Sequence, residues 1–533
     1  MRPAAVACLL AALALLAWVE RTSVARDAQG RAVAPAAGSD AAREDALLLR
    51  GVELALAGGR APTEERMLDG GRELTAGRAP LVPALLAGLA RRSVLRGLDA
   101  VELGALPAGR LAGLFERLGP LLGVLAVLAS FAAVRLAHGG AARDVAGLVA
   151  AGLYALAPAA VLAERAGRVE PAALVTLLGC GLLLSARVSW GARLELDRTT
   201  AALLGGPLVG LALVAAPSLT PLGVALLVGV GLAPKGGRAL ALALAGALLV
   251  VNLVLGAPRR VLEVWPSASV ALPGSFDAFA GGWLAWVLLP TALVALALGA
   301  PRTLARATCL VWGALALAWA VAFDPRAPGV NLAACALFAL AAVERYERLA
   351  PRARPLALGV ALLVAAPCGL ARRGAAFTPD DAELARRADW AQALEVLRTT
   401  TPSSGPWNHA GARPDAFVLC APEVAVEVVA GARRAVVACD LPRLLEPEER
   451  RAGAADARAL RAEPATAASA ERLARRSVRY VLVGPGDPPR APGGLAERLA
   501  TCAPDAGPPG FERVWASPAR DGSGPACALW AVR

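Results

Sequence analysis

The sequence has little charge, few aromatic rings and almost no histidine. Of its 533 residues 18% are charged and 4% are aromatic, and there are 2 histidines, His138 and His409. Soluble domains carry about 25% charge, so an ordinary water-soluble enzyme fits poorly, and a chain that is 57% hydrophobic is not a disordered one. Two histidines cannot build a usual zinc site, and the 9 cysteines contain no Cys-x-x-Cys pair. Lysine is nearly absent too. Lys235 is the only one, so the net charge of +12, from 55 basic and 43 acidic residues, is carried by arginine. The arginines punctuate apolar runs and do not cluster on a polar face with aromatic platforms, which argues against a nucleic-acid partner.

What is present in quantity is long apolar sequence. A spanning helix needs about 20 mostly apolar residues, and eleven runs qualify: residues 3–19, 112–137, 144–163, 172–187, 200–216, 218–233, 238–257, 282–299, 303–322, 330–344 and 355–370. The first follows Arg2 directly and no clean small-residue cleavage site comes after it, so it reads as an uncleaved signal anchor. With a cytoplasmic N-terminus, the loops holding Arg143, Arg193 and Arg198, Lys235 and Arg238, Arg302, and Arg345 to Arg354 are all cytoplasmic, the positive-inside pattern. The pairs Arg259 and Arg260, and Arg372 and Arg373, fall outside and break it. The expectation is a polytopic α-helical protein of the inner (cytoplasmic) membrane, with about eleven transmembrane helices in residues 1–370 and external loops at about 20–111 and 258–281.

From residue 371 the composition turns polar. DDAELARRADWAQALEVLR reads as an amphipathic helix, AFVLCAPEVAVEVV, RRAVVACD and VRYVLVGPG read as strands, and a charged helical stretch covers about 441–476. This predicts an α/β domain over 371–533, placed outside the cytoplasm by the span count. Cys420, Cys439, Cys502 and Cys527 lie in it, where a disulfide and free buried thiols are both open.

Four residues on the predicted outer face stand out, because a charge near lipid is costly unless solvated, paired or metal-bound. Asp45 follows the first helix. Glu170 precedes Pro171 at the start of an apolar helix, where a capping role also fits. Glu263 is an isolated acid in RRVLEVWP, and Arg326 in FDPRAPGV has Asp324 as a possible partner. Three carboxylates and one guanidinium on separate loops of one face are what a hard divalent cation and a phosphate-bearing substrate require.

The order of these segments resembles the catalytic subunit of the oligosaccharyltransferases, the single-subunit enzymes of bacteria and archaea. The resemblance rests on EDALLLRGVELALAGGRAP, ERAGRVEPAALV, RRVLEVWP and the long stretch from LRTTTPSSGPWNHAGARPD to AGARRAVVACD. It implies a GT-C membrane fold and transfer of a glycan from a polyprenyl (pyro)phosphate carrier to an acceptor protein or peptide at the Asn of an NxS/T sequon, with Mn²⁺ or Mg²⁺. By that likeness Asp45, Glu170 and Glu263 are the metal carboxylates, Asp45 and Glu263 also act in catalysis, and Arg326 contacts the lipid phosphate. The chain departs from the family at two places. Ala172 stands where the second acid of a DxD-type pair belongs, and Pro422, Glu423, Val424 and Ala425 replace the last four residues of the WWDYG signature, leaving Glu423 as the one candidate acceptor contact. Two other readings remain open: a GT-C transferase moving a single sugar from polyprenyl phosphate to a lipid or cell-wall glycan, and a non-catalytic relative that binds lipid-linked glycan.

Overall fold

The computed structural model describes residues 2–24, 35–58, 64–65, 67, 74–75, 81–93, 116–138, 142–168, 172–190, 217–231, 282–298, 304–322, 324–348, 380–403, 414–439, 448–484, 493–502, 507–518 and 526–533. The chain divides into two compact units, one of residues 1–24, 117–166 and 171–378, the other of residues 25–116, 167–170 and 379–533.

The described residues of the first unit form helices joined by short turns. Eight of the eleven apolar runs fall on its described helices, and 200–216, 238–257 and 355–370 lie outside the described residues. Pro3–Thr22, Leu118–His138 and Pro328–Arg348 are each long and apolar enough to cross a membrane. A bent pair of apolar helices follows: Arg143–Leu156 stops at Ala157, because Pro158 has no amide hydrogen to continue the ladder, and the chain resumes as Pro158–Glu164 at 60°. Near Pro290 the same loss is absorbed differently, by a π-turn over Leu284–Leu288 that runs into the helix Leu289–Ala297. Pro3–Thr22 leaves Leu9, Leu15 and Trp18 exposed, as a lipid-facing helix does, whereas Pro328–Arg348 is buried along most of its length. Its alanines, Gly329 and Cys335 allow close helix approach, the usual basis of association where lipid offers no hydrophobic gain. A Cβ at Gly329 would collide with the Ser218 carbonyl.

The second unit joins segments of the first long loop to the C-terminal part. The loop supplies helices Asp40–Gly58 and Leu81–Ser93 and an antiparallel pair, β1 (Glu64–Glu65) and β2 (Leu74–Thr75). The C-terminal part supplies β3 (Phe417–Leu419), β4 (Val478–Val483), β5 (Phe511–Ala516) and β6 (Ala528–Val532), in the order β3-β4-β6-β5, with β3 parallel to β4 and the other pairs antiparallel. Helix Asp381–Thr400 starts on Asp380, whose carboxylate accepts the Glu383 amide at 2.6 Å. One apolar cluster gathers Trp390, Leu397, Leu482 and Leu529 with Ala46 and Met67 from the loop. Another gathers Leu473, Val481, Leu499 and Trp530. Fully burying a side chain of this size is worth about 1.5–3 kcal/mol, so the loop is held as part of this unit's own core.

Two sequence expectations need correction. AFVLCAPEVAVEVV is a strand only over Phe417–Leu419, and Ala425–Glu427 and Val428–Ala432 are helical. Pro422 cannot donate to a ladder, and a short apolar run that is buried all round carries no period to separate strand from helix. RRAVVACD contributes one parallel bridge, Val418 to Val436, in place of a full strand. Cys420, Cys439 and Cys527 are buried and Cys502 is partly buried.

Candidate functional site

Helix Asp40–Gly58 begins where Ser39 Oγ accepts the Ala42 amide at 3.2 Å. Its apolar residues Ala42, Ala46, Leu48 and Val52 are buried, and Asp45 is buried among them. Such a carboxylate must be paired. Its partner comes from 123 positions along the chain: Arg168 Nε donates to Asp45 Oδ2 at 2.8 Å. Gly167, at φ 88°, turns the chain immediately before Arg168. A second nitrogen of Arg168 stands 3.9 Å from Glu44. Arg168 is buried, and Glu170, two residues on, lies outside the described residues.

Two further ties hold the same helix and its leading turn. Glu53 accepts from the buried Arg433 at 3.0 Å, and Arg433 itself takes a left-handed φ of 55°. The Gly38 amide donates to Glu427 Oε1 at 2.7 Å, while Trp390 Nε1 donates to Glu427 Oε2 at 2.8 Å. Burial pushes the Glu427 carboxyl up to about 7, against the two hydrogen bonds and the charge of Arg43, which favour its ionised form. Sequence reasoning passed over Glu427; the signal was a lone acid inside the apolar run VAVEVV. It chose Glu423, which is partly exposed and takes two hydrogen bonds from Arg458, at 2.7 and 3.1 Å.

In the first unit Arg326 sits in the turn that precedes Pro328–Arg348. Asp324 Oδ1 accepts the Arg326 backbone amide at 2.8 Å, and Asn331 Nδ2 donates to the Arg326 carbonyl at 3.0 Å. Asp324 therefore shapes the turn and does not hold the guanidinium, which is exposed and ion-pairs with no described residue. Glu263 lies outside the described residues.

The same unit contains a polar knot that sequence reasoning missed. Arg21 Nε donates to Glu164 at 2.7 Å, Tyr154 donates to the other Glu164 oxygen, and Tyr154 lies 2.8 Å from Thr176 Oγ1. Arg21 also reaches the Ala17 and Ala155 carbonyls at 3.3 and 3.2 Å. A Cβ at Gly123 would strike both Arg21 and Glu164, so the helix Leu118–His138 must be glycine there.

As a divalent metal site the described donors do not fit. Asp45 is one carboxylate already bonded to a guanidinium, Ala172 is buried and apolar, and among the described residues no group of three His, Cys, Asp or Glu side chains can hold an ion.

No family model matches the sequence, and no curated protein matches it. Solved structures do. Archaeal oligosaccharyltransferase AglB from Archaeoglobus fulgidus, in complex with an inhibitory peptide and a dolichol-phosphate, has a TM-score of 0.61 at 13% identity, over 90% of this chain and 69% of that one. The Archaeoglobus fulgidus oligosaccharyltransferase in complex with Zn and sulfate has a TM-score of 0.63 at 13% identity, over 96% and 79%. The fold is that of the oligosaccharyltransferases. ArnT from Cupriavidus metallidurans in the apo state matches at a TM-score of 0.52 and 14% identity, over 98% of this chain and 97% of that one. These neighbours are GT-C membrane proteins, and at such identities the fold is what is shared.

Proposed function

We propose that the protein is a membrane glycosyltransferase that takes a glycan from a polyprenyl phosphate or pyrophosphate carrier and passes it to an acceptor asparagine at the outer face of the inner membrane. One observation carries this reading: the oligosaccharyltransferase fold extends over 90% or more of the chain, in neighbours whose structures hold a dolichol-phosphate with a peptide, or Zn with sulfate. In this reading residues 20–111 and 371–533 lie on the non-cytoplasmic side. Single cysteines at positions 486 and 235, in a cysteine-free background, then label with an impermeant maleimide from opposite sides.

Transfer breaks the bond between sugar and phosphate while a bond to the acceptor nitrogen forms, the amide gives up one proton, and negative charge gathers on the departing phosphate. Arg326 is assigned to that charge. Its planar fork matches phosphate oxygens, and Asp324 and Asn331 fix its backbone while leaving the guanidinium exposed. Asp45, Glu170 and Glu263 are assigned as the carboxylates that position the weakly nucleophilic amide, as the expected metal ligands also would. Glu423 is the proposed contact to the sequon hydroxyl, weakened because Arg458 already occupies one of its oxygens.

A single-sugar transfer from polyprenyl phosphate to a hydroxyl of a lipid or cell-wall glycan is the second reading, favoured by that engaged Glu423 in a segment without aromatic residues. The test is purified full-length protein with a polyprenyl-pyrophosphate glycan and fluorescent NxT and NxA peptides, products being read by mass. Glycopeptide with weak NxT preference is expected. Product on hydroxyl acceptors alone selects the second reading, and donor that is bound but never consumed identifies a glycan-binding relative.

A further inference from the structure

We propose that Arg168 is a resident cation at the first-loop carboxylate, neutralising Asp45 where the oligosaccharyltransferase likeness predicts a divalent ion, so that a metal reaches Asp45 Oδ2 only by displacing the guanidinium and otherwise meets an already neutralised carboxylate. The inference rests on the functional reading above only for naming the metal as the competitor.

The geometry is that of a charge-assisted bond. The Nε to Oδ2 distance is 2.8 Å, both side chains are 8% exposed, and a second Arg168 nitrogen faces Glu44 at 3.9 Å. Two acids thus share one guanidinium. Oxygen ligands hold Mg²⁺ at about 2.0–2.1 Å, so an ion bound at Oδ2 would crowd a like charge that is itself within bonding distance of that oxygen. Arginine cannot escape by losing its proton, since a guanidinium stays charged at any working pH, and Gly167 at φ 88° turns the backbone from which it projects. Ala172 adds no compensating ligand. A guanidinium also differs from a metal ion in being part of the chain: it is present at every ion concentration and survives chelation.

Mn²⁺ alone is the probe, titrated into the full-length protein in detergent and followed by loss of the free-ion EPR signal. Wild type is expected to bind weakly, and Asp45→Asn to leave that weak binding unchanged. Arg168→Gln should tighten binding at least tenfold, Arg168→Lys should not, and adding Asp45→Asn to Arg168→Gln should abolish the gain. Wild-type Mn²⁺ binding as tight as that of Arg168→Gln, or lost with Asp45→Asn, overturns the proposal. If Arg168→Gln does not fold, the wild-type and Asp45→Asn titrations still decide it. None of these readouts needs glycan transfer. A protein inactive in transfer that shows the tenfold gain refutes the functional reading and keeps this one, and an active protein that loses Mn²⁺ with Asp45→Asn does the reverse.

Discussion

The two units of this protein bury charge in different ways. In the helical unit Arg21 and Glu164 meet directly, and Tyr154 and two backbone carbonyls complete the set. In the α/β unit Asp45 and Glu53 each meet an arginine, whereas Glu427 accepts from the neutral donors of Gly38 and Trp390 with the charge of Arg43 nearby. Burial pushes the Glu427 carboxyl toward protonation by more than its two hydrogen bonds and the charge of Arg43 hold it back. The helical unit holds a buried ion pair, and the α/β unit holds Glu427, whose carboxyl is raised to about 7.

The largest expected effect breaks the first half of that comparison. Glu164→Ala leaves Arg21 buried without its counter-charge, and removing one partner of such a pair costs about 3–5 kcal/mol. The joint change Arg21→Met with Glu164→Leu should cost less than Glu164→Ala alone, since replacing both charges by apolar groups is often near neutral. Thermal midpoints of the three proteins in detergent check this.

Next comes Glu427. Its folded value of about 7 lies above its ordinary 4.5, so the fold favours the protonated carboxyl. That stabilisation is complete below pH 4.5 and is lost as pH rises to about 7, a decline of about 3 kcal/mol. Above pH 7 it is constant. Glu427→Gln should remove this slope, so the difference between wild-type and variant thermal midpoints should change across that window. An identical pH slope in both proteins would place the titrating group elsewhere.

Arg326→Lys is the smallest in stability. The residue is exposed and its backbone holds the turn, so stability should change by no more than about 0.5 kcal/mol, read as a nearly unchanged thermal midpoint. Donor binding should weaken, because lysine keeps the charge but loses the fork. A large loss of stability would show that the guanidinium supports the fold.

The apolar runs were legible because a helix that is hydrophobic all round needs no periodicity to be recognised, and eight of them fall on described helices. Asp45 stood out as an acid beside a membrane run, yet its partner did not: an ion pair between positions 45 and 168 leaves no local mark on either segment. Glu427 was hidden by its neighbour, since Glu423 occupied the place of a signature while Glu427 had only its isolation in an apolar run. The helix over Ala425–Ala432 was misread because burial on every side erases the difference between periods of 2 and 3.6. The division of the chain was hidden for a related reason: the loop residues Ala46 and Met67 enter the core of the C-terminal part through contacts no composition boundary records.

The most direct test of the central claim is consumption of a polyprenyl-linked donor by the purified protein. With a polyprenyl-pyrophosphate glycan and an Asn-containing peptide, wild type should release the polyprenyl pyrophosphate in step with glycopeptide, and Asp45→Asn should abolish most of that release while remaining folded. A wild-type protein that neither binds nor consumes any polyprenyl-linked donor, or an Asp45→Asn variant with undiminished turnover, would contradict the account.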